Sequence, residues 1–121
     1  MPKYAALIYT PEDLETETPP DVWQQVIQDY FEFGENAGDR IVGGEALLPT
    51  NTARCVQVEA KGGEPIVTDG PFAETEEVLG GFYLLDVENE EEAIRWAAQI
   101  PGAWHGRIEV RLIMEVTPSP Q

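Results

Sequence analysis

The stretch LGGFYLLDV, residues 79–87, is apolar at both odd and even positions along most of its length. Successive side chains of a strand point to opposite faces of a sheet, so a stretch of this kind is buried on both sides. The stretch KYAALIYT, residues 3–10, has the same character. We therefore predict two central strands in a sheet that is covered on both faces.

Two amphipathic helices are predicted between the strands, while residues 11–17 are predicted to form a loop. Thr18 stands where a cap of the first helix is expected, and this helix covers residues 19–37. Its apolar positions recur every three or four residues and predict one buried stripe, formed by Trp23, Val26, Ile27, Tyr30, Phe33 and Ala37. The second helix begins at Asn89 and Glu92, which have capping-box spacing, and stops at Pro101.

The remaining apolar segments predict further strands over residues 40–48 and 107–116. Residues 53–60 and 64–68 flank Lys61-Gly62-Gly63 and predict a hairpin. The order strand, helix, strand, inserted hairpin, strand, helix, strand is that of the α+β, ferredoxin-like split βαβ sheet. Two helices on one side leave the other face bare. We therefore predict a homodimer in which two sheets meet face to face as a dimeric α/β barrel.

Composition limits the partners that this chain can have. With 121 residues it is predicted to form a single domain over residues 1–121, and its formal charge of −16 disfavours nucleic acid and anionic membrane surfaces. A single cysteine, Cys55, cannot form an internal disulfide, which fits a reducing cytoplasm. Neither a membrane span nor a signal peptide is expected from the sequence.

The acidic turn that follows the hairpin is the strongest candidate for a functional site. Gly70 and Pro71 fix the backbone after Asp69, so this carboxylate is expected to be held in place rather than mobile. Asp69 can equally serve the turn alone, by accepting hydrogen bonds from nearby backbone N–H groups. An aromatic ring and a second acid, Phe72 and Glu74, follow directly.

The single histidine, His105, is the second candidate, because a general base at neutral pH is most often histidine. A lone histidine in a loop is more commonly a solvated surface residue. With one histidine and one cysteine, a zinc site within one chain is not expected. Magnesium or calcium bound by carboxylates alone stays an alternative, although no loop carries the spaced ligands that such a site needs. We therefore predict neither a metal nor a cofactor.

Four segments together resemble the DGPF-motif branch of the YciI-like, or YCII-related, family. They are Asp69-Gly70-Pro71-Phe72-Ala73-Glu74-Thr75, Gly43-Gly44-Glu45-Ala46-Leu47, Leu79-Gly80-Gly81-Phe82-Tyr83 and Ile108-Glu109-Val110-Arg111. The resemblance covers nearly the whole chain and implies the dimeric α/β-barrel version of the ferredoxin-like fold. It also implies an enzyme that acts on small organic molecules, with a dehydrochlorinase among the distant members. For this branch it implies association with extracytoplasmic-function sigma factors.

The sequence departs from the family pattern at two places. YciI has a histidine near the start of its first helix, thought to pair with an aspartate, whereas residues 19–37 contain none. The branch motif usually continues with lysine after the threonine, and this chain has Glu76 there. A histidine–aspartate dyad and a cation beside the motif are therefore not expected.

Two classes of function follow from these observations. In the enzyme hypothesis Asp69 is the acid or base and Arg111 pairs with an anion or a carbonyl. The other predicted contributors are Glu45 or Glu74, which tune the local charge, and Tyr9 and Phe72, which shape the pocket. In the binding hypothesis the dimer holds a small organic ligand, or docks on a sigma factor, without turnover. A convergent polar cleft favours chemistry, and an exposed apolar patch on the helices favours docking.

Overall fold

The computed structural model of the chain describes residues 1–71 and 75–116. The strands are β1 (Lys3–Pro11), β2 (Ile41–Ala46), β3 (Arg54–Gln57), β4 (Ile66–Asp69), β5 (Glu77–Asp86) and β6 (Arg107–Leu112). The helices are α1 (Leu14–Glu17), α2 (Pro20–Ala37), α3 (Glu90–Ala97) and α4 (Gly102–His105), with 3₁₀ turns at Gly38–Arg40 and Thr50–Thr52.

Four strands form one sheet in the order β2-β5-β1-β6, and every neighbouring pair in it is antiparallel. Strands β1 and β5 are central in this sheet, and strands β2 and β6 lie at its edges. Each edge strand follows one of the two long helices, β2 after α2 and β6 after α3. This is the ferredoxin-like arrangement, so the predicted fold class is confirmed. Strands β3 and β4 pair only with each other and form the inserted hairpin.

The core lies between the sheet and the helices, because the helices cover only one face. Alternate residues of β1 point into it, and Tyr4, Ala6 and Ile8 are all buried. Phe33 of α2 joins the layers: its ring centroid lies 5.0 Å from that of Tyr83. Burying a side chain of this size stabilises the fold by about 1.5–3 kcal/mol.

The two predicted caps differ in outcome. The Asn89 side chain accepts a hydrogen bond of 2.9 Å from the Glu92 N–H, so the Asn89 cap is confirmed. The Glu92 carboxylate accepts one of 3.1 Å from the Glu88 N–H rather than from the Asn89 N–H that a capping box would use. The prediction for Thr18 was wrong, since Pro19 occupies the cap position of α2. The Thr18 hydroxyl donates instead to the Leu14 carbonyl. Leu14 begins α1, a short helix in the segment that was predicted as a loop. The Thr18 hydroxyl bonds to this carbonyl instead of capping α2, because threonine side chains can bond to nearby backbone groups.

Several predicted elements are shorter in the structure or of another type. Strand β6 ends at Leu112 because its neighbour β1 begins at Lys3, and the last bond between them runs from the Ile113 N–H to the Lys3 carbonyl. Strand β2 begins only at Ile41, since residues 38–40 form a 3₁₀ turn after Gly38 ends α2 at φ 53°. The predicted loop before β6 contains α4, closed by a bond from the Gly106 N–H to the Gly102 carbonyl.

Candidate functional site

A cavity of about 580 Å³ lies between the first turns of α2 and one end of the sheet. Three segments of the chain close it: the end of β1 with α1, the run from β2 to the Thr50–Thr52 turn, and the first half of β5. Gly102 and His105 of α4 complete the wall. Its aromatic side chains are those of Trp23, Tyr30 and Tyr83.

Helix α2 supplies one side of this cavity with the same stripe that fills the core. Trp23, Val26 and Tyr30 are three and four residues apart and therefore share one face of the helix. Farther along the stripe, Phe33 and Ala37 are buried against the sheet. Trp23 and Tyr30 are only partly buried because the cavity lies beside them. The stripe therefore packs against the sheet in its second half and lines the cavity in its first.

The paired glycines of β2 and β5 bring two backbones together. Gly44 has φ 153°, and a Cβ there would lie 2.6 Å from the Phe82 carbonyl oxygen. A Cβ at Gly81 would lie 2.8 Å from the Glu45 carbonyl oxygen. These glycines therefore allow the close approach of two strand backbones.

Two tyrosines give the cavity its polar groups. Burial raises the pKa of Tyr30 to about 12, the neighbouring Tyr83 adds to the rise, and the Gly102 N–H beside the Tyr30 hydroxyl opposes it. Burial also raises the pKa of Tyr83. Both phenols are therefore neutral at pH 7 and can donate hydrogen bonds.

The mouth of the cavity is acidic. The Thr50 hydroxyl donates a hydrogen bond of 2.5 Å to the Glu12 carboxylate and so ties the β2–β3 connection to the end of β1. Glu15 of α1 also borders the cavity. Lysine and arginine are absent from its lining in the described part of the chain.

Of the predicted catalytic residues, only His105 borders this cavity. It is exposed at the mouth and lies on α4, one turn after Gly102. An exposed imidazole beside an aromatic cavity can exchange protons both with solvent and with a bound molecule.

Asp69 lies elsewhere, at the end of β4 on the hairpin. Its side chain is 86% exposed, and its carboxylate lies 3.2 Å from the guanidinium of Arg54. The turn after it is held as expected: Gly70 has φ 86°, its N–H donates to the Ala53 carbonyl at 2.8 Å, and its carbonyl accepts from the Cys55 thiol at 3.3 Å. Within one chain, then, the carboxylate is oriented but faces solvent.

The other predicted residues meet on the sheet face opposite α2 and α3, which we call the uncovered face. The pairing register aligns three rows across it: Leu84, Ala5 and Arg111; Phe82, Leu7 and Glu109; Leu79, Tyr9 and Arg107. Glu45 pairs with Phe82, so alternation points its side chain to the same face. The Arg111 guanidinium lies 3.7 Å from Glu109, not beside Asp69.

The structure therefore distributes the predicted residues over three places: the cavity mouth, the uncovered face and the hairpin. Phe72 and Glu74 lie outside the described residues. Sequence reasoning assigned Trp23 and Tyr30 to core packing and missed them as cavity residues. The one available signal was a phenol within an otherwise apolar stripe, since a buried hydroxyl needs a hydrogen-bond partner.

Metal sites and membrane spans are two further features for which the described residues give information. Within residues 1–71 and 75–116, histidine, cysteine, aspartate and glutamate side chains form no group of three that could hold a metal ion. None of the helices in the same ranges is both long and apolar enough to cross a membrane.

Comparison with known proteins places the chain beside a family, a relative and a solved structure. The model of the YCII-related domain matches residues 3–117. An uncharacterised protein of Rhizobium meliloti (strain 1021) is 36% identical over 108 residues, which cover 83% of this chain and 81% of that protein.

The solved structure is a 5-chloro-2-hydroxyhydroquinone dehydrochlorinase from Burkholderia phenoliruptrix AC1100, in complex with 2,5-dihydroxybenzoquinone. It superposes with a TM-score of 0.50 at 11% identity and covers 96% of this chain and 95% of its own. At this identity the likeness shows the fold alone, and the site has to be argued from the residues of this chain.

Proposed function

Because the chain belongs to the YCII-related family, we propose that it binds a small organic molecule in the cavity beside α2. The observation that carries the proposal is the cavity itself, about 580 Å³ in volume, with an aromatic lining and a histidine at its mouth. Sites for small ligands are mostly apolar, measure about 300–1,000 Å³ and contain a few placed polar groups. A ring-sized ligand also agrees with the quinone bound in the dehydrochlorinase of similar fold.

The same groups equip the site for proton transfer. The His105 imidazole lies at the mouth of the cavity and can accept a proton from a bound hydroxyl group. The neutral phenols of Tyr30 and Tyr83 can hold a carbonyl or hydroxyl oxygen of the ligand. An enzyme acting on a hydroxylated ring would use these three residues together.

We also propose that the Asp69 motif acts through a homodimer. Partly buried apolar side chains, Ala5, Leu7 and Leu84, lie on the uncovered face, which favours a second copy as its cover. The hairpin pairs only with itself, so its exposed Asp69 is available to contact Arg111 of the partner subunit. A cytoplasmic location stays a prediction from the single cysteine.

A regulatory module that docks on a sigma factor is the second candidate. The observation in its favour is on the outer side of α2, where Ile27 and Phe31 are one turn apart and are 37% and 67% exposed. Exposed apolar pairs of this kind can seat a partner protein. The cavity favours the small-molecule proposal, since docking alone would not need an aromatic pocket.

Tryptophan fluorescence tests the proposal directly, because Trp23 lines the cavity and the exposed Trp104 does not. We expect hydroquinone to quench the fluorescence of the wild-type protein to saturation. Trp23→Phe should remove the saturable quench, and Trp104→Phe should retain it.

A second readout uses the single histidine. Its Hε1 resonance should shift along the same saturation curve, because His105 borders the cavity. A quench that does not saturate, or one that depends on Trp104 rather than Trp23, would reject the cavity as the binding site.

A further inference from the structure

Building on the proposed function, we infer that the ligand is an uncharged ring compound that presents a carbonyl or hydroxyl oxygen to the Tyr30 hydroxyl, and that the cavity rejects organic anions. Two independent features carry this inference. One is the way in which Gly102 fixes the Tyr30 hydroxyl, and the other is the sign of the charges around the cavity.

Tyr30 reaches the cavity wall from α2 and meets α4 there. The Tyr30 oxygen lies close to the backbone of Gly102, since a Cβ at position 102 would be 3.0 Å from it. Tyr30 also lines the cavity. A neutral phenol has one O–H to donate. The Tyr30 hydroxyl can therefore donate a hydrogen bond to a ligand oxygen in the cavity.

Position 102 allows this contact only because it is glycine. A Cβ there would lie 3.0 Å from the Tyr30 oxygen and 2.5 Å from the Ile8 Cγ2 atom. The absence of a side chain therefore lets the backbone of α4 pack against the phenol and hold it at the cavity wall. Fixed donors discriminate among ligands better than mobile ones, since they are oriented before binding.

The charge around the cavity disfavours anionic ligands relative to neutral ones. Glu12 and Glu15 border the cavity, and within the described part of the chain its lining contains no arginine or lysine. The formal charge of the whole chain is −16, so the surrounding field has the same sign. A carboxylate or a phosphate would lose its hydration here without gaining a cation. A neutral amide, ketone or phenol loses much less.

Two probes of nearly equal shape separate charge from fit: 4-hydroxybenzamide, which is neutral, and 4-hydroxybenzoate, which is an anion at pH 7. We expect calorimetric titration to show at least about tenfold tighter binding of the amide, a difference of about 1.4 kcal/mol. The double variant Glu12→Gln with Glu15→Gln should reduce the ratio of the two affinities by about threefold, because it removes two negative charges at the cavity. Glutamine is chosen because it can still accept the hydrogen bond from Thr50. The matched control is Glu32→Gln with Glu35→Gln, which removes two charges on α2 away from the cavity and should leave the ratio unchanged.

The hydrogen bond is tested by removing one oxygen atom. Tyr30→Phe should weaken binding of the amide about three- to tenfold, as expected for a neutral hydrogen bond of about 0.5–1.5 kcal/mol. Tyr4→Phe removes a hydroxyl outside the cavity lining and should leave the affinity unchanged. Circular dichroism confirms that each variant is folded.

The possible outcomes separate the inference from the proposed function. Equal binding of the two probes, or tighter binding of the benzoate, overturns the charge selectivity while the cavity stands as a binding site. Unchanged affinity in Tyr30→Phe overturns the assigned donor. If neither these probes nor hydroquinone bind, the proposed function fails and the inference fails with it.

Discussion

The Tyr30 hydroxyl packs against the backbone of Gly102 so closely that a Cβ at position 102 would lie 3.0 Å from the phenol oxygen. This contact joins α2 to α4, two of the elements that bound the cavity. The shape of the cavity and the placement of the Tyr30 phenol therefore depend on the lack of a side chain at Gly102. This glycine is more than sixty residues along the chain from Tyr30.

Gly102→Ala should destabilise the protein and impair the cavity together. The new methyl group would meet both Tyr30 and the Ile8 Cγ2 atom, the latter at 2.5 Å. Overpacking of a core costs about 1–3 kcal/mol. We expect chemical denaturation to show a loss in this range and hydroquinone binding to weaken.

The matched control is Gly34→Ala within α2, where an added Cβ meets no atom within 4 Å. Alanine is the better helix former, so this variant should be more stable by about 0.5–1 kcal/mol. A Gly102→Ala protein as stable as the wild type would contradict the close packing at Tyr30.

Stability should fall in the alkaline range because of Tyr30. Burial raises its pKa from 10.0 to about 12, so the folded state holds the phenol proton more tightly than the unfolded chain does. The resulting stabilisation is fully present below pH 10 and is lost as the pH rises through about 12. Melting temperatures measured from pH 8 upward should fall less steeply for Tyr30→Phe than for the wild type. Parallel curves for the two proteins would show that the Tyr30 phenol is not shielded in the folded state.

Asp69→Asn tests whether the charge of the motif has a function. The Arg54–Asp69 ion pair is exposed, and exposed pairs contribute at most about 1 kcal/mol, so the melting temperature should change by less than about 4 °C. If Asp69 pairs with a ligand or a second copy, affinity for hydroquinone should fall about tenfold, because asparagine keeps the shape of the turn and loses the charge.

The control for this variant is Arg54→Gln, which removes the partner of Asp69 within the chain but leaves the carboxylate. It should bind hydroquinone as the wild type does. Equal affinity in both variants and the wild type would leave Asp69 as part of the turn only.

Leu7→Glu should prevent dimer formation. Leu7 lies at the centre of the uncovered face, between Phe82 and Glu109 in the pairing register. A buried carboxylate without a partner is strongly unfavourable in an apolar interface. Sedimentation at micromolar concentration should give a dimer for the wild type and a monomer for this variant.

Phe31→Glu adds the same charge on the outer side of α2, where Phe31 is 67% exposed. This variant should remain dimeric. A wild-type monomer, or dissociation by Phe31→Glu alone, would show that the sheet face is not the interface.

Residue spacing was enough to predict the order of the sheet strands and of the two long helices. An apolar residue every three or four positions marks the inner face of α2, where Val26, Phe33 and Ala37 are buried, whereas Ile27 of the predicted stripe is exposed. The Asn89 cap could also be predicted, because its partner, the Glu92 N–H, is three residues along the chain. The end of β6 could not be predicted from spacing, because an edge strand stops where its antiparallel neighbour offers no further partner. That neighbour, β1, begins at Lys3.

Local periodicity was sufficient to predict the ferredoxin-like sheet, because it sets which faces of the strands and helices are buried. The tertiary structure was needed to show that Tyr30 borders a cavity while Phe33 fills the core. The two residues have the same place in the helical repeat, and what lies opposite each depends on distant segments: Gly102 for one and Tyr83 for the other. The position of Asp69 on a separate hairpin was decided in the same way, since strand pairing joins residues that no local pattern connects.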